Sequence, residues 1–329
     1  MGIQYLNTYI KKNTTSDSTT KLTFGELSNK VIAIDTSIYL YKFVSNNSLL
    51  ESIYLMITLF KQYNIVPIFV FDGVPPKEKE TILKKRQNEK LIAKQKCEEL
   101  QEQLINTTSI SEQTNLNETI NSLKKKCIKL KKTDIKKVRE LIDAFGVYYI
   151  DALGEADELC AKLVISKIAY ACLTEDMDLF LYGCPRVLRY LSLTNSTFII
   201  YYLDRILEDL NMNFKEFKEI CVISGSDYIT NNTFNLYNVL KYYKEYKEYK
   251  EYKEYKEQKK CKGQQEFYMW LYKNHNIEKT IDLKELYNAY FMYQVSSNNL
   301  KIDISELNKT INHNKIKEIM TSEGFIFIE

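Results

Sequence analysis

Along the chain, short runs of β-branched and aromatic residues alternate with longer stretches whose apolar positions recur every three to four residues. Residues 31–34 form one such run and end at Asp35, while residues 66–71 form another and end at Asp72. The apolar spacing between them, roughly residues 37–63, predicts a helix. A third run, 147–150, follows a long helical stretch and leads to Glu155 and Asp157, and a fourth, 168–173, leads to Asp176 and Asp178. Strands alternating with helices predict an α/β fold with a mostly parallel central sheet flanked by helices. In such sheets, ligands bind beyond the carboxyl ends of the strands. One aspartate after one strand is most simply a turn or helix-cap residue. Four acidic strand ends, with Asp227 in a further cluster, weaken that explanation and point to a shared site.

Between the two halves of this pattern lies a helical insertion. Residues 77–105 read as one charged helix, 106–118 as a polar Asn/Thr/Ser linker, and 120–145 as a second helix. From 120 to 140, nine basic residues, among them Lys124, Lys125, Lys126, Lys129 and Lys132, face only Asp134 and Glu140. That local +7 stands in a chain of net +3, so the remainder is acidic at −4. A charge run is ordinarily a solvated helix face; beside an acidic site it also suits a surface that holds phosphates. Residues 243–257 repeat Tyr-Lys-Glu five times. A period of three drifts by about 60° per repeat on an α-helix, so the tyrosines form no single apolar stripe. The segment is expected to be a low-complexity insertion, solvated if helical, with base stacking on its tyrosines the less favoured alternative. The rest of the C-terminal region has helical spacing and the only tryptophan, Trp270, and is expected to pack back as a helical annex.

Composition narrows the chemistry. The chain has 329 residues, 45% hydrophobic and 27% charged, which is ordinary for a globular protein and excludes global disorder. No apolar run approaches the roughly 20 residues of a membrane span. The first residues lack the apolar stretch of a signal peptide, and Leu6 stands where a myristoylation signal wants Ser or Thr. An intracellular protein is expected, with no membrane partner. Seven cysteines, Cys97, Cys127, Cys160, Cys172, Cys184, Cys221 and Cys261, are scattered without a Cys-x-x-Cys pair, against both a disulfide framework and a zinc site. Only two histidines exist, His275 and His313, so catalysis through a His base or His-ligated metal is not expected. The seven carboxylates Asp35, Asp72, Glu155, Asp157, Asp176, Asp178 and Asp227 remain. Gathered without cations they would repel one another; oxygen-only ligation suits Mg²⁺ or Mn²⁺. Two such ions roughly 4 Å apart can activate water and clamp a phosphodiester with no histidine involved.

The strings MGI (1–3), VIAID (31–35), VFDGVPP (70–76), GEAD (154–157), TEDMD (174–178) and GSDY (225–228), in this order, closely resemble the flap endonuclease/XPG family of structure-specific 5′ nucleases, in particular divergent members such as those of large DNA viruses. Each string alone is weak; the ordered set, spanning residues 1 to about 230, is specific. The resemblance implies a PIN-like/5′-nuclease fold with a helical gateway and cap inserted into it. It implies two Mg²⁺ ions, replaceable by Mn²⁺, the first held around Glu155, Asp157 and Asp176, the second favoured by Asp178 and Asp227. Asp35 and Asp72 would act mainly through bound waters, and Glu158 lies outside the pattern. Lys79 and Arg86, seven apart, would share one face of the gateway helix and grip the scissile phosphate. Tyr41 would stack on the base beside the cut, Gly2 would lie near the junction, and the lysines of region 84–140 would line a cap that the 5′ strand threads.

Three departures from the family pattern are visible. Where the family carries a glycine-rich hairpin that holds a potassium ion against a DNA phosphate, residues 229–237 contain no glycine. Without glycine the backbone reaches positive φ and close approach less readily, which puts that duplex anchor in doubt. The segment from Tyr41 to Asp72 is shorter than in cellular members, so strict double-flap preference is expected to relax. Residues 322–329 show no clear sliding-clamp-binding pattern.

The resulting expectation is a monomeric, metal-dependent 5′ nuclease, acting on branched or junction-containing DNA in repair, recombination or replication, within a DNA-containing compartment. Its nuclease core would comprise residues 1–105 and 146–230, its cap 106–145, and its C-terminal helical region 231–329. Two alternatives stay open. One is a DNA-binding scaffold of the same family with weak or no activity. The other is a carboxylate-based phosphatase, against which stands the missing second Asp of an Asp-x-Asp after the first strand, since Asp35 is followed by Thr36 and Ser37.

Overall fold

The β-branched runs leave their side chains pointing alternately to the two faces of a sheet, and both faces are apolar here, so helices must cover both. The computed structural model, which describes residues 3–106, 109–229, 234–257, 267–275, 277, 281–296 and 309–327, has this arrangement. The chain begins with α1 (Leu6–Asn13) and β1 (Thr19–Thr23), followed by β2 (Val31–Asp35), α2 (Thr36–Ser45), α3 (Leu49–Gln62) and β3 (Val66–Phe71). Helices α4 (Glu80–Asn106) and α5 (Ile110–Lys126) then run out and back as an arm, and α6 (Lys132–Ala144) returns the chain to β4 (Tyr148–Asp151). Next come α7 (Ala156–Ile165), β5 (Ala171–Leu173), β6 (Arg186–Ser192) and β7 (Thr197–Tyr202). Helices α8 (Leu203–Asp209), α9 (Phe214–Ile223), α10 (Leu236–Glu257), α11 (Phe267–His275), α12 (Leu283–Met292) and α13 (His313–Ser322) follow.

The seven strands lie in the order β1-β7-β6-β5-β2-β3-β4. Five of them, β6-β5-β2-β3-β4, are mutually parallel, and β7 and β1 extend the β6 edge in antiparallel fashion. From β2 the chain moves outward through β3 and β4, then crosses to β5 on the other side. The strand order therefore reverses at β2, and a crevice opens at the carboxyl ends beside it. Along β2 and β3 the alternation is strict. Ala33, Ile68 and Val70 enter one buried cluster with α7 and the C-terminal helices, while Ile32, Ile34, Phe69 and Phe71 enter a second with α2, α3, α6 and α13.

Two glycines permit close approaches that hold the parallel ends together. Gly73 N–H donates to the Gly154 carbonyl at 2.7 Å, joining the loops after β3 and β4, and a Cβ on Gly73 would meet the Ala152 carbonyl oxygen at 2.0 Å. Gly146 has a φ of +63°, and a Cβ there would meet the Lys309 carbonyl oxygen at 2.3 Å. Through that contact and the bond from Asn312 N–H to the Ala144 carbonyl, at 2.7 Å, the segment leading into α13 is tied to the end of α6.

Four element-level expectations are corrected. The stretch 37–63 is two helices, α2 and α3, interrupted at Asn46–Ser48, where Asn47 takes a positive φ. The predicted polar linker 106–118 is mostly helix, because α5 starts at Ile110 and lies along α4, where Ala93, Cys97 and Ile120 are buried between them. Packing of one apolar stripe outweighs the modest helix propensity of Asn, Thr and Ser. Residues 120–145 are not one helix, since the chain breaks between Lys126 and Lys132, and Asp134 caps the new start by accepting from Lys131 N–H. The Tyr-Lys-Glu repeat is helical within α10 but not uniformly solvated: Tyr243 and Tyr246 are buried against Phe267 and Trp270, while Tyr252 is exposed. Among the described residues, no helix is long and apolar enough to cross a membrane.

Candidate active site

The carboxyl ends of β2, β3 and β5 and the amino end of α7 converge on one polar crevice. Asp35 closes β2 and is buried, and its Oδ2 accepts from Thr174 Oγ1 at 2.8 Å. Thr174 Oγ1 in turn accepts from Asp176 N–H at 3.0 Å, and Asp176 Oδ1 accepts from Asp178 N–H at 3.1 Å. This relay folds the TEDMD loop back onto β2 and presents Asp176 and Asp178, both buried, toward the crevice. Asp72, exposed after β3, caps α7 from across the crevice: its Oδ1 accepts from Ala156 N–H at 2.8 Å. The capping role expected for any aspartate after a strand is thus real for Asp72, but it is performed for a distant helix. Glu155 precedes that helix and Asp157 sits in its first turn.

Desolvation dominates the titration of Asp35, Asp157 and Asp178. Burial, and after it the Asp72 charge, push the Asp35 carboxyl up to about 7. Asp157 is raised well above the ordinary carboxylate range by burial and then by Asp35, and Asp178 by burial and then by Asp176 and Asp227. The repulsion that Asp35, Asp157 and Asp178 feel from neighbouring carboxylates is of the kind that cations relieve.

Two cations already stand there. Lys79 Nζ, buried, donates to Glu155 Oε1 at 2.7 Å and lies 3.5 Å from Asp227 Oδ2, so it bridges two walls of the crevice. Burial opposes the charge on this ammonium, but Glu155 and Asp227 outweigh it and hold the Lys79 pKa above its ordinary value. Arg86 donates from one guanidinium nitrogen to both oxygens of Asp227, at 3.0 and 2.8 Å. Lys79 lies in a 3-10 turn just before α4 and Arg86 on α4 itself, so they do not share one helix as their spacing predicts, yet both reach Asp227. Tyr41 is 44% exposed near the base of the arm, with Lys90 Nζ 5.2 Å from its ring centre. Lys124, Lys125, Lys126, Lys129 and Lys132 are all exposed, at the end of α5, in the break after it and at the start of α6. Gly2 lies outside the described residues, as do residues 230–233 of the glycine-free stretch.

Whether divalent ions suit this donor set is decided by the oxygens left over. Among the described residues, no three Asp, Glu, His or Cys side chains enclose a common point as the side chains stand; Glu155 and Asp227 are held by Lys79 and Arg86 instead. However, Asp157 Oδ1 and Asp178 Oδ1 are buried with no hydrogen-bond partner. A buried carboxylate oxygen without a donor is costly unless a cation serves it. All the ligands are oxygen, and the residues fit Mg²⁺ or Mn²⁺.

Three side chains that support the site were not singled out from the sequence. Thr174 links Asp35 to Asp176. Tyr228 Oη donates to Glu155 Oε2 at 2.8 Å, and its adjacency to Asp227 was the signal available. Tyr293 Oη donates to Asp178 Oδ2 at 2.9 Å from beyond α12, where no motif marked it.

Family models for the XPG N-terminal domain and the XPG I-region match residues 1–93 and 146–227. In sequence the chain is similar to flap endonuclease 1-B of Xenopus laevis, 28% identical over 216 residues, covering 60% of this chain and 53% of the relative. It is also similar to flap endonuclease 1 of Ajellomyces capsulatus, 30% identical over 250 residues, covering 70% of this chain and 60% of the relative. The chain thus spans about half the length of the first of these relatives. In structure it is similar to the catalytic core of Rad2 in complex with DNA substrate, with a TM-score of 0.66, 19% identity, and coverage of 97% of this chain and 95% of that one. Flap endonuclease-1 from Methanococcus jannaschii gives a TM-score of 0.62 at 18% identity, with 98% and 93% covered. Human GEN1 in complex with Holliday junction DNA gives 0.63 at 16% identity, with 98% and 73% covered.

Proposed function

The chain belongs to the flap endonuclease/XPG family, and we propose that it is a Mg²⁺-dependent, structure-specific 5′ nuclease that hydrolyses DNA phosphodiesters near single-strand/duplex junctions. The observation that carries this reading is the presence in one crevice of buried, unpartnered carboxylate oxygens on Asp157 and Asp178 and of two cations, Lys79 and Arg86, held by Glu155 and Asp227.

In this reading Glu155, Asp157 and Asp176 hold one ion and Asp178 and Asp227 favour the second, with Asp35 and Asp72 acting through bound waters. When bound, such ions supply a nucleophilic water at neutral pH and offset charge on the attacked phosphate. The chain's own residues do the rest. Lys79 and Arg86 exchange carboxylate partners for phosphate oxygens, so their positive charge follows the charge that develops during displacement. Thr174 and the backbone of Asp178 keep the acidic loop in place against β2. Tyr41 offers an exposed ring to the base beside the cut. The lysines of the arm draw the unpaired 5′ strand by charge, without reading its sequence.

The test uses a 5′-labelled DNA flap, the matching single strand and a blunt duplex, with Mg²⁺ or EDTA. The expected result is cleavage close to the flap junction, dependent on Mg²⁺ and abolished in a folded Asp178→Ala protein. Mg²⁺-dependent binding without any cut would replace the nuclease with a binding scaffold.

A further inference from the structure

The C-terminal region does more than cover the sheet. After α12 the chain passes through Tyr293 to Ser296, and this short strap is fastened at four points, one on the acidic loop after β5 and three on α7 and α9. Tyr293 Oη donates to Asp178 Oδ2 at 2.9 Å. The Tyr293 carbonyl accepts from Lys218 Nζ of α9 at 2.7 Å. Ser296 N–H donates to Glu158 Oε1 of α7 at 2.9 Å, and Ser296 Oγ accepts from Lys162 Nζ of the same helix at 3.0 Å. The Tyr293 ring, 2% exposed, meets the rings of Tyr182 and Tyr228 edge-on with centres 5.2 and 5.1 Å away. Lys218 is itself buried, and its ammonium lies 4.3 Å from the centre of the Tyr290 ring.

A carboxylate with two free oxygens can rotate and offer either. The hydrogen bond to Oδ2 removes that freedom from Asp178 and leaves Oδ1, buried and without a partner, as the oxygen available to a cation. We propose that Tyr293 is a positioning residue of the nuclease site, contributed by the C-terminal helical region, which fixes Asp178 in the orientation that binds a divalent ion. The inference rests on the metal-binding reading of the crevice. Partners of metal-binding groups typically contribute about 10- to 100-fold in metal affinity, and the same range is expected here. Tyr293→Phe keeps the ring and its packing and deletes only the hydroxyl.

The experiment measures Mn²⁺ binding to the full chain, without DNA, by electron paramagnetic resonance of the free ion, together with the Mg²⁺ dependence of flap cleavage. In Tyr293→Phe the Mn²⁺ dissociation constant is expected to rise about 10-fold or more. The Mg²⁺ concentration for half-maximal cleavage should rise in parallel, while the rate at saturating Mg²⁺ recovers to within a few-fold of wild type. A variant that melts lower yet binds Mn²⁺ as wild type does would show a packing role only and overturn the proposal. Absence of Mn²⁺ binding by the wild-type chain would instead sink the nuclease reading, and the proposal with it. Should the Phe variant not fold, Lys218→Met unties the Tyr293 carbonyl and leaves its hydroxyl. That chain, folded, should also lose Mn²⁺ affinity, and unchanged affinity would overturn the proposal.

Discussion

At the residue scale, the crevice is a place where each carboxylate has a different burden. Asp72 is exposed and spends one oxygen on the amino end of α7, whereas Asp35, Asp157 and Asp178 are raised by burial. The sign of their effect on stability follows. An acid whose pKa is higher in the folded chain binds more protons there than when unfolded, so stability falls as pH rises from the unfolded value, about 4, through the folded one. For Asp35 the loss runs through about pH 7 and levels off only above it. Without divalent ions, the melting temperature is therefore expected to fall between pH 5 and pH 8, and saturating Mg²⁺ should flatten that slope; differential scanning calorimetry in EDTA and in Mg²⁺ checks both. The acids that line the crevice were legible because each follows an apolar run. Tyr293 was not, since a tyrosine after a helix looks like any core residue until the fold brings it to Asp178.

Elements explain what periodicity alone misjudges. The α4–α5 arm carries few buried positions, Ala93, Cys97 and Ile120 among them, so its stability rests on a narrow stripe while its charges face solvent. A narrow stripe in a polar sequence is the pattern that reads as a linker. Replacing Lys124, Lys125 and Lys126 with Ala should weaken flap binding with little change in the single-turnover rate at saturating enzyme. It should also reduce the salt dependence of binding by about 0.7 in log–log slope for each phosphate no longer neutralised; fluorescence anisotropy over a salt series measures this. In α10 the drift of a three-residue repeat has a visible consequence. Tyr243 and Tyr246 face Phe267, and the next repeats rotate away until Tyr252 is 58% exposed. Tyr246→Ala is expected to destabilise by about 2–4 kcal/mol, and Tyr252→Ala by no more than about 0.5 kcal/mol, as read by urea denaturation.

On the scale of the whole molecule, four of the five parallel strands, β2, β3, β4 and β5, were legible, while β6 and the antiparallel edge were not. β1 reads Thr-Thr-Lys-Leu-Thr, half exposed and without an apolar run, and finds its place only by pairing with β7. The C-terminal region closes over the site from one face through Tyr293, and α13 packs against α6 on the other, tying the late part of the chain to both halves of the early part. The central claim is that the carboxylates at the strand ends gather divalent ions for phosphodiester hydrolysis. The most direct measurement is the single-turnover rate of 5′-flap cleavage as a function of Mg²⁺ concentration, for the wild type and Asp178→Ala. The account expects no cleavage in EDTA, a rate rising with nearly the square of Mg²⁺ concentration at the low end, and loss of activity in Asp178→Ala. Cleavage that persists in EDTA, or that survives intact in Asp178→Ala, would contradict it.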